Sequence, residues 1–171
     1  MILNILILAL VTLERVIELR IARANTKRLT QTGGYEVGSG HYPLIVALHA
    51  SWLAALWWHA PFQPVSVPLL ALFGLVELGR LWVLLTLGKR WTTRIIVVPG
   101  EALVRRGPYR FVSHPNYVVV VAEIALLPLV FGLWRTAVIF TLLNVAVLTI
   151  RIREENRALA AGSGWTAATQ P

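Results

Sequence analysis

The sequence has no cysteine. That excludes disulfides, thiolate nucleophiles and cysteine-based metal sites. Charge is also scarce: Asp, Glu, Lys and Arg make up 14% of 171 residues, against about a quarter in a soluble domain. Acidic side chains are the rarer sign, 8 against 16 basic ones, for a formal net charge of +8. In a soluble protein that balance would point to nucleic acid. Here hydrophobic residues reach 57% and the arginines sit between apolar runs. The basic segments therefore read as cytoplasmic loops of a membrane protein. The opening run MILNILILALVTLERVIEL lacks the basic start of a signal peptide, and Glu14, Arg15 and Glu18 interrupt its apolar stretch. It reads as a retained first membrane helix.

A spanning helix needs about 20 mostly apolar residues. Residues 1–19, 43–60 and 66–87 supply three candidates. The apolar tract from Tyr117 to Ile150 is broken at Gly132–Arg135. It predicts a helical hairpin with arms of about 15 residues, roughly 22 Å each. Three segments hold the basic residues: Arg20, Arg23, Lys27 and Arg28; Lys89, Arg90, Arg94, Arg105, Arg106 and Arg110; and Arg151, Arg153 and Arg157. About five spans with the N-terminus outside put all three on the cytoplasmic side; Arg135 in the hairpin turn is the exception. Trp52, Trp57, Trp58, Trp82, Trp91 and Trp134 read as interfacial anchors near span ends. The Gly-rich stretch 31–41 reads as a flexible loop. The expected fold is an all-α integral membrane protein whose last two spans form a hairpin, with a polar cytoplasmic loop and a C-terminal helix.

Charges inside spans need a reason. Glu77 and Arg80, three apart, can pair on one helix face. Glu14 and Glu18 share a face and can meet a loop arginine. Glu123 either lines a site or pairs with Arg80. His49 and His59 are ten residues apart, which is not metal spacing, so no metal is expected. Asn144 is a candidate interhelical hydrogen bond.

Two polar segments flank the hairpin: EALVRRGPYRFVSHPNY, residues 101–117, and RIREENRAL, Arg151–Leu159. Folding the hairpin back makes them neighbours on one membrane surface. Gly107–Pro108 and His114–Pro115 fix turns, so the first segment is no continuous helix and exposes backbone to a ligand. Arg151 and Glu155, four apart, share a helix face. An arginine can grip a carboxylate and a glutamate an amino group, which suits a mixed-charge ligand. The same residues also read as plain surface loops. A non-enzymatic scaffold or transporter subunit, with Glu77, Arg80 and Glu123 as a permeation path, is the competing reading.

ALVRRGPYRFVSHPNY, followed after a hairpin by RIREENRAL and preceded by LGKRWTTRI, resembles the isoprenylcysteine carboxyl methyltransferase family, related to phospholipid methyltransferases. The resemblance covers residues from about 70 to 160. It implies S-adenosylmethionine as cofactor, held by Glu101, Ala102, Leu103, Val104, Tyr109, His114, Pro115, Asn116, Tyr117 and Glu155. It implies that Arg151 faces a lipophilic methyl acceptor entering from the bilayer, with Arg151, Glu155 and His114 as catalytic candidates. The acceptor is an isoprenylcysteine-type carboxylate or a lipid-like hydroxyl. On this reading residues 1–87 form a three-helix membrane region, 88–160 a catalytic region and 161–171 a flexible tail. Two positions depart from the pattern: Ser113 stands where arginine often precedes His-Pro, and Val119 where glycine commonly follows.

Overall fold

The structure, a computed structural model, describes the chain through residue 162, with side chains through Arg157. Of the flexible tail expected over 161–171, residues 161 and 162 belong to the last helix, and the rest, with Trp165, lies outside the described residues. Five α-helices dominate: α1 (Ile2–Gln31), α2 (Tyr42–His59), α3 (Val67–Leu87), α4 (Pro115–Val130) and α5 (Trp134–Gly162). Two short strands, β1 (Tyr35–Val37) and β2 (Ile95–Val97), pair antiparallel, with Glu36 opposite Ile96. The fold is thus mostly but not wholly helical. The Gly-rich stretch expected to be a flexible loop holds β1, because its backbone finds a partner ladder in the β-branched run Ile95–Val98.

Helix boundaries follow local chemistry. α2, α3 and α4 each start with proline in the first turn, where a missing N–H costs nothing. α4 and α5 are separated by a tight turn at Gly132, whose φ of 70° a side chain rarely tolerates. The hairpin is present with unequal arms. α4 has 16 residues, while α5 runs 29 without a break. The C-terminal helix expected after Ile150 is therefore the far end of α5. Nothing helix-breaking stands between Leu148 and Glu155.

Two helices are individually long and apolar enough to cross a membrane, Val67–Arg90 and Trp134–Arg157. α4 is short at 16 residues. α1 carries Glu14, Arg15 and Glu18 within its apolar run, and α2 is diluted by histidine and tryptophan. One end of the bundle gathers the turns. Asn4 Nδ2 donates to the carbonyls of Ala60 and Gln63 at 2.7 and 2.8 Å, and Ser66 N–H donates to Val130 O at 2.8 Å. The other end gathers the sheet, the 88–114 connection and the last turns of α1 and α5.

The core joins α1, α2 and α4 through Leu8, Leu56, Ile124 and Leu127, with Phe131 beside them. Trp52 and Trp91 are 2% and 3% exposed, so they are packing residues and not interfacial anchors. Trp57, Trp58, Trp82 and Trp134 remain exposed. Where the pattern loses a glycine at Val119, α3 supplies one. A Cβ on Gly79 would sit 3.7 Å from Val119 Cγ2. The close approach of α3 and α4 is kept with the small residue on the other helix.

Charges in the bundle pair both between helices and along α1. Arg80 of α3 grips Glu18 of α1 through Nε and through Nη2 at 2.8 Å, and Glu123 of α4 through Nη1. The expected Glu77–Arg80 pair does not form, because Arg80 is turned inward to these two buried carboxylates. Arg15 sits 3.0 Å from Glu18, 3.5 Å from Glu123 and 3.7 Å from Glu77. Glu14 and Glu18 thus meet Arg15 and Arg80, not a loop arginine. Asn144 is 1% exposed. The hydrogen bond expected of it is not made by its Nδ2, which has no partner among the described residues.

Removing one member of a buried ion cluster strands the rest, at a cost of about 3–5 kcal/mol. Arg80→Ala is expected to lower the thermal midpoint in detergent steeply. Arg135→Ala, at the exposed hairpin turn, is expected to leave it nearly unchanged. Equal midpoints for both variants would refute the structural weight given to Arg80.

Candidate functional site

His114 immediately precedes α4, and Tyr117 lies in its first turn. Arg151 and Glu155 stand one turn apart on α5. The hairpin brings these pairs together across 34 and 38 residues of chain. The Tyr117 hydroxyl donates to Glu155 Oε2 and accepts from Arg151 Nε at 2.8 Å. His114 Nδ1 lies 3.8 Å from the same Glu155 oxygen. The His114 ring stacks on Tyr117, centroids 5.3 Å apart and planes 19° off parallel. Arg151 is 7% exposed, whereas the Glu155 side chain is 27% exposed. One carboxylate oxygen is therefore engaged, and Oε1 has no protein partner among the described residues. Burial first, and then the Glu155 charge, pushes the Tyr109 phenol from 10.0 up to about 12.

Arg151 is not an open claw. Its Nη1 donates to the Thr93 carbonyl at 2.7 Å, and its Cζ lies 5.5 Å from the Tyr117 ring centroid. Behind Thr93 stands a second tier. Thr93 Oγ1 and the Tyr42 hydroxyl share a 3.2 Å hydrogen bond. The Arg94 guanidinium lies 4.2 Å from the Tyr42 ring centroid, and one of its nitrogens donates to both Glu36 oxygens at 2.7 and 2.8 Å. Sequence reasoning missed Glu36, Tyr42 and Thr93. The readable signal was Ile95–Val98, a β-branched run stopped by Pro99–Gly100, which marks a strand needing a partner.

The remaining candidates fall elsewhere. Glu101, Ala102, Leu103 and Val104 line a separate cavity of 630 Å³ with Arg28, Lys89 and Arg105 among its walls. Arg90 pins that segment, 2.5 Å from Glu101 and donating to Ala102 O at 2.8 Å. None of Tyr109, His114, Pro115, Asn116, Tyr117, Arg151 and Glu155 lines this cavity. The backbone N–H groups of Ala102–Arg105 reach no backbone acceptor among the described residues. Gly107, φ 59°, lets the chain turn there against Thr86, whose side chain any added Cβ would strike. Asn116 Oδ1 is buried without a hydrogen-bond partner among the described residues. Ser113 is exposed. His49 Nδ1 bonds its own helix at Ile45 O, 2.8 Å away. Among the described residues no three His, Asp or Glu side chains gather as metal ligands do.

Chemically, the cluster combines a half-exposed carboxylate, an imidazole in reach of it, and a phenol held by a buried guanidinium. Such a group can accept protons and hold a cation. It sits at the end of an apolar hairpin, where a polar ligand and an apolar one can meet.

Comparison with known proteins points the same way. Uncharacterized protein YpbQ from Bacillus subtilis (strain 168) is 37% identical over 159 residues, covering 90% of this chain and 95% of that protein. An uncharacterized protein from Haemophilus influenzae is 25% identical over 152 residues, covering 85% of this chain and 88% of that protein. No solved structure matches the chain. Residues 69–161 match the model of one family, and that span holds α4, α5 and every member of the cluster. The chain belongs to the isoprenylcysteine carboxyl methyltransferase (ICMT) family.

Proposed function

We propose that this protein, whose family membership implies a membrane-associated methyltransferase, is an S-adenosylmethionine-dependent methyltransferase acting on a lipophilic acceptor, with its site at the cytoplasmic face of a five-span bundle. The observation that carries this reading is the meeting of His114 and Tyr117 with Arg151 and Glu155 across the hairpin. The topology rests on the gathering of N-terminus, α2–α3 turn and α4–α5 turn at one end, and of most basic residues at the other.

The residues fit the cofactor. Asn116 Oδ1 is a buried acceptor lacking a donor, and Glu155 keeps an oxygen open. Both suit a ligand bearing amino groups and a positive charge. The cationic walls of the 630 Å³ cavity make it the poorer seat for the cofactor's charged centre, so Glu155, His114 and Asn116 are assigned that role.

When bound, the cofactor supplies an electrophilic methyl on its sulfonium. The chain then positions an acceptor oxygen in line and excludes water. The arrangement supports a hydroxyl acceptor better than a carboxylate. A carboxylate would look for a free guanidinium, but the buried Arg151 already gives Nε to Tyr117 and Nη1 to Thr93. A hydroxyl needs a proton acceptor, and His114 beside Glu155 can serve. Arg151 holds the Tyr117 oxygen, which in turn orients Glu155. The permeation reading is not favoured, since Arg80 closes Glu18 and Glu123 into one knot.

Calorimetry of the detergent-solubilised protein with S-adenosylhomocysteine is expected to show a site weakened at least tenfold by Glu155→Ala or His114→Ala. Absence of heat at millimolar ligand sinks the enzyme reading. Incubation with lipid extract and a deuterated methyl donor, read by mass spectrometry, names the acceptor. Tyr117→Phe removes a hydrogen bond to a charged group worth about 1.5–3 kcal/mol. Turnover is expected to fall about tenfold to a hundredfold, and an unchanged rate would show the bridge to be idle.

Tyr109 supplies a pH test. Its folded pKa is raised, from 10.0 to about 12. Its contribution to stability is complete below pH 10 and is lost as pH rises toward about 12. Ultraviolet titration of the protein minus that of Tyr109→Phe should show phenolate appearing near the upper value. Appearance near the ordinary value of about 10 would refute this buried environment.

A further inference from the structure

The last turns of α1 and the first turn of α2 enclose a cleft of 400 Å³, a volume typical of small-ligand sites. One stripe of α1 forms one wall: Leu19, Arg23, Thr26 and Lys27, at spacings of four, seven and eight. Tyr42 and Val46, one turn apart on α2, form the other. The stripes are graded. On α1, which runs toward the sheet, Leu19 lies deeper in the bundle than Arg23 and Lys27. On α2, which runs away from the sheet, Val46 lies deeper than Tyr42. The cleft is therefore apolar toward the bilayer and cationic at the surface.

Three of its polar side chains, Arg23, Thr26 and Lys27, lack partners among the described residues. Arg23 and Lys27 make no hydrogen bond or ion pair with the described residues, in contrast to Arg94 at the rim, which is committed to Glu36. Thr26 Oγ1 is buried with no hydrogen-bond partner among the described residues, an orphan that costs free energy unless a ligand or water satisfies it. No carboxylate lines the cleft.

We propose that this cleft binds the phosphate headgroup of an anionic phospholipid, its acyl chains lying against Leu19, Val46 and the exposed apolar surface of α1. Arg23 and Lys27 hold the phosphate, and Thr26 donates to it. A phosphate ester supplies the missing charge, accepts from the orphan hydroxyl, and brings the tail that the apolar end requires. Thr93 also lines the cleft, and its carbonyl receives Arg151. A bound lipid thus backs the segment that fixes the cluster, without entering it. The cleft draws on residues before 69, outside the family-matched span.

The test uses the full chain, delipidated in detergent, and reads binding alone, so its outcome is separable from that of the methyl-transfer proposal. Thermal-shift titration and native mass spectrometry compare phosphatidylglycerol, phosphatidylcholine and inorganic phosphate. Phosphatidylglycerol is expected to be retained at one lipid per chain and to stabilise; the other two are not. A cation at a charged lipid surface is worth about fivefold in affinity, so Arg23→Gln with Lys27→Gln should weaken phosphatidylglycerol about thirtyfold. Thr26→Val should weaken it about tenfold. Lys89→Gln with Arg105→Gln, in the other basic cavity, should change it less than about threefold. Equal losses from both pairs of variants would reduce the effect to general surface charge and overturn the site. Equal binding of phosphatidylcholine, or inorganic phosphate stabilising as well as the lipid, would overturn the ligand.

Discussion

Arg80 is the interaction on which the bundle depends. It is 6% exposed and joins α1, α3 and α4 by gripping Glu18 and Glu123. Inside a bilayer a lone guanidinium would be costly, and so would either carboxylate. Together they neutralise one another and carry direction, because a guanidinium fork accepts partners only in its plane. Apolar contacts between these helices are interchangeable over small rotations. The Arg80 fork is not. It sets the rotation of α3 and α4, and that rotation aims Tyr117 at α5.

From that fixed point the site is built outward in tiers. α4 presents His114 and Tyr117 at its start, and α5 returns Arg151 and Glu155 beside them. Thr93 caps Arg151 from the 88–114 connection. Tyr42 backs Thr93, and the Arg94–Glu36 pair locks the connection to β1. In the outer tiers Tyr42 and Glu36 come from the first part of the chain, outside the family-matched span that holds Thr93 and Arg94. The part of the chain before residue 69 therefore contributes to the back wall of the cluster, through Tyr42 and Glu36.

Much of this was legible. Hydropathy located the apolar segments, and Gly132 marked the hairpin turn. The spacing of Arg151 and Glu155 put both on one helix face, and the two prolines at Pro108 and Pro115 located the irregular loop. Three things were not legible, each for a physical reason. Pairing with Arg80 was one of the two roles the sequence left open for Glu123, but Glu18 as a partner of Arg80 was hidden because a nearby carboxylate at Glu77 satisfies a one-dimensional rule, while burial rewards partners on other helices. The β1–β2 pair was hidden because each strand has 3 residues, too few for a period to register. The commitment of Arg151 was hidden because its acceptor is the backbone carbonyl of Thr93, and sequence patterns do not display carbonyls. Trp52 and Trp91 were misplaced for a related reason. Nearness to a helix end does not say whether an indole faces lipid or a neighbouring helix.

The uninterrupted course of α5 has a consequence for how the protein can vary. Arg151 and Glu155 have no local support of their own register; they inherit it from a rod that begins at Trp134. Each residue advances that rod by about 1.5 Å and turns it by about 100°. A single insertion or deletion anywhere between Gly132 and Arg151 would swing both side chains away from Tyr117, whatever the inserted residue. Composition in α5 is free to drift so long as it stays apolar, but its length is counted. The helix is a ruler as much as a span.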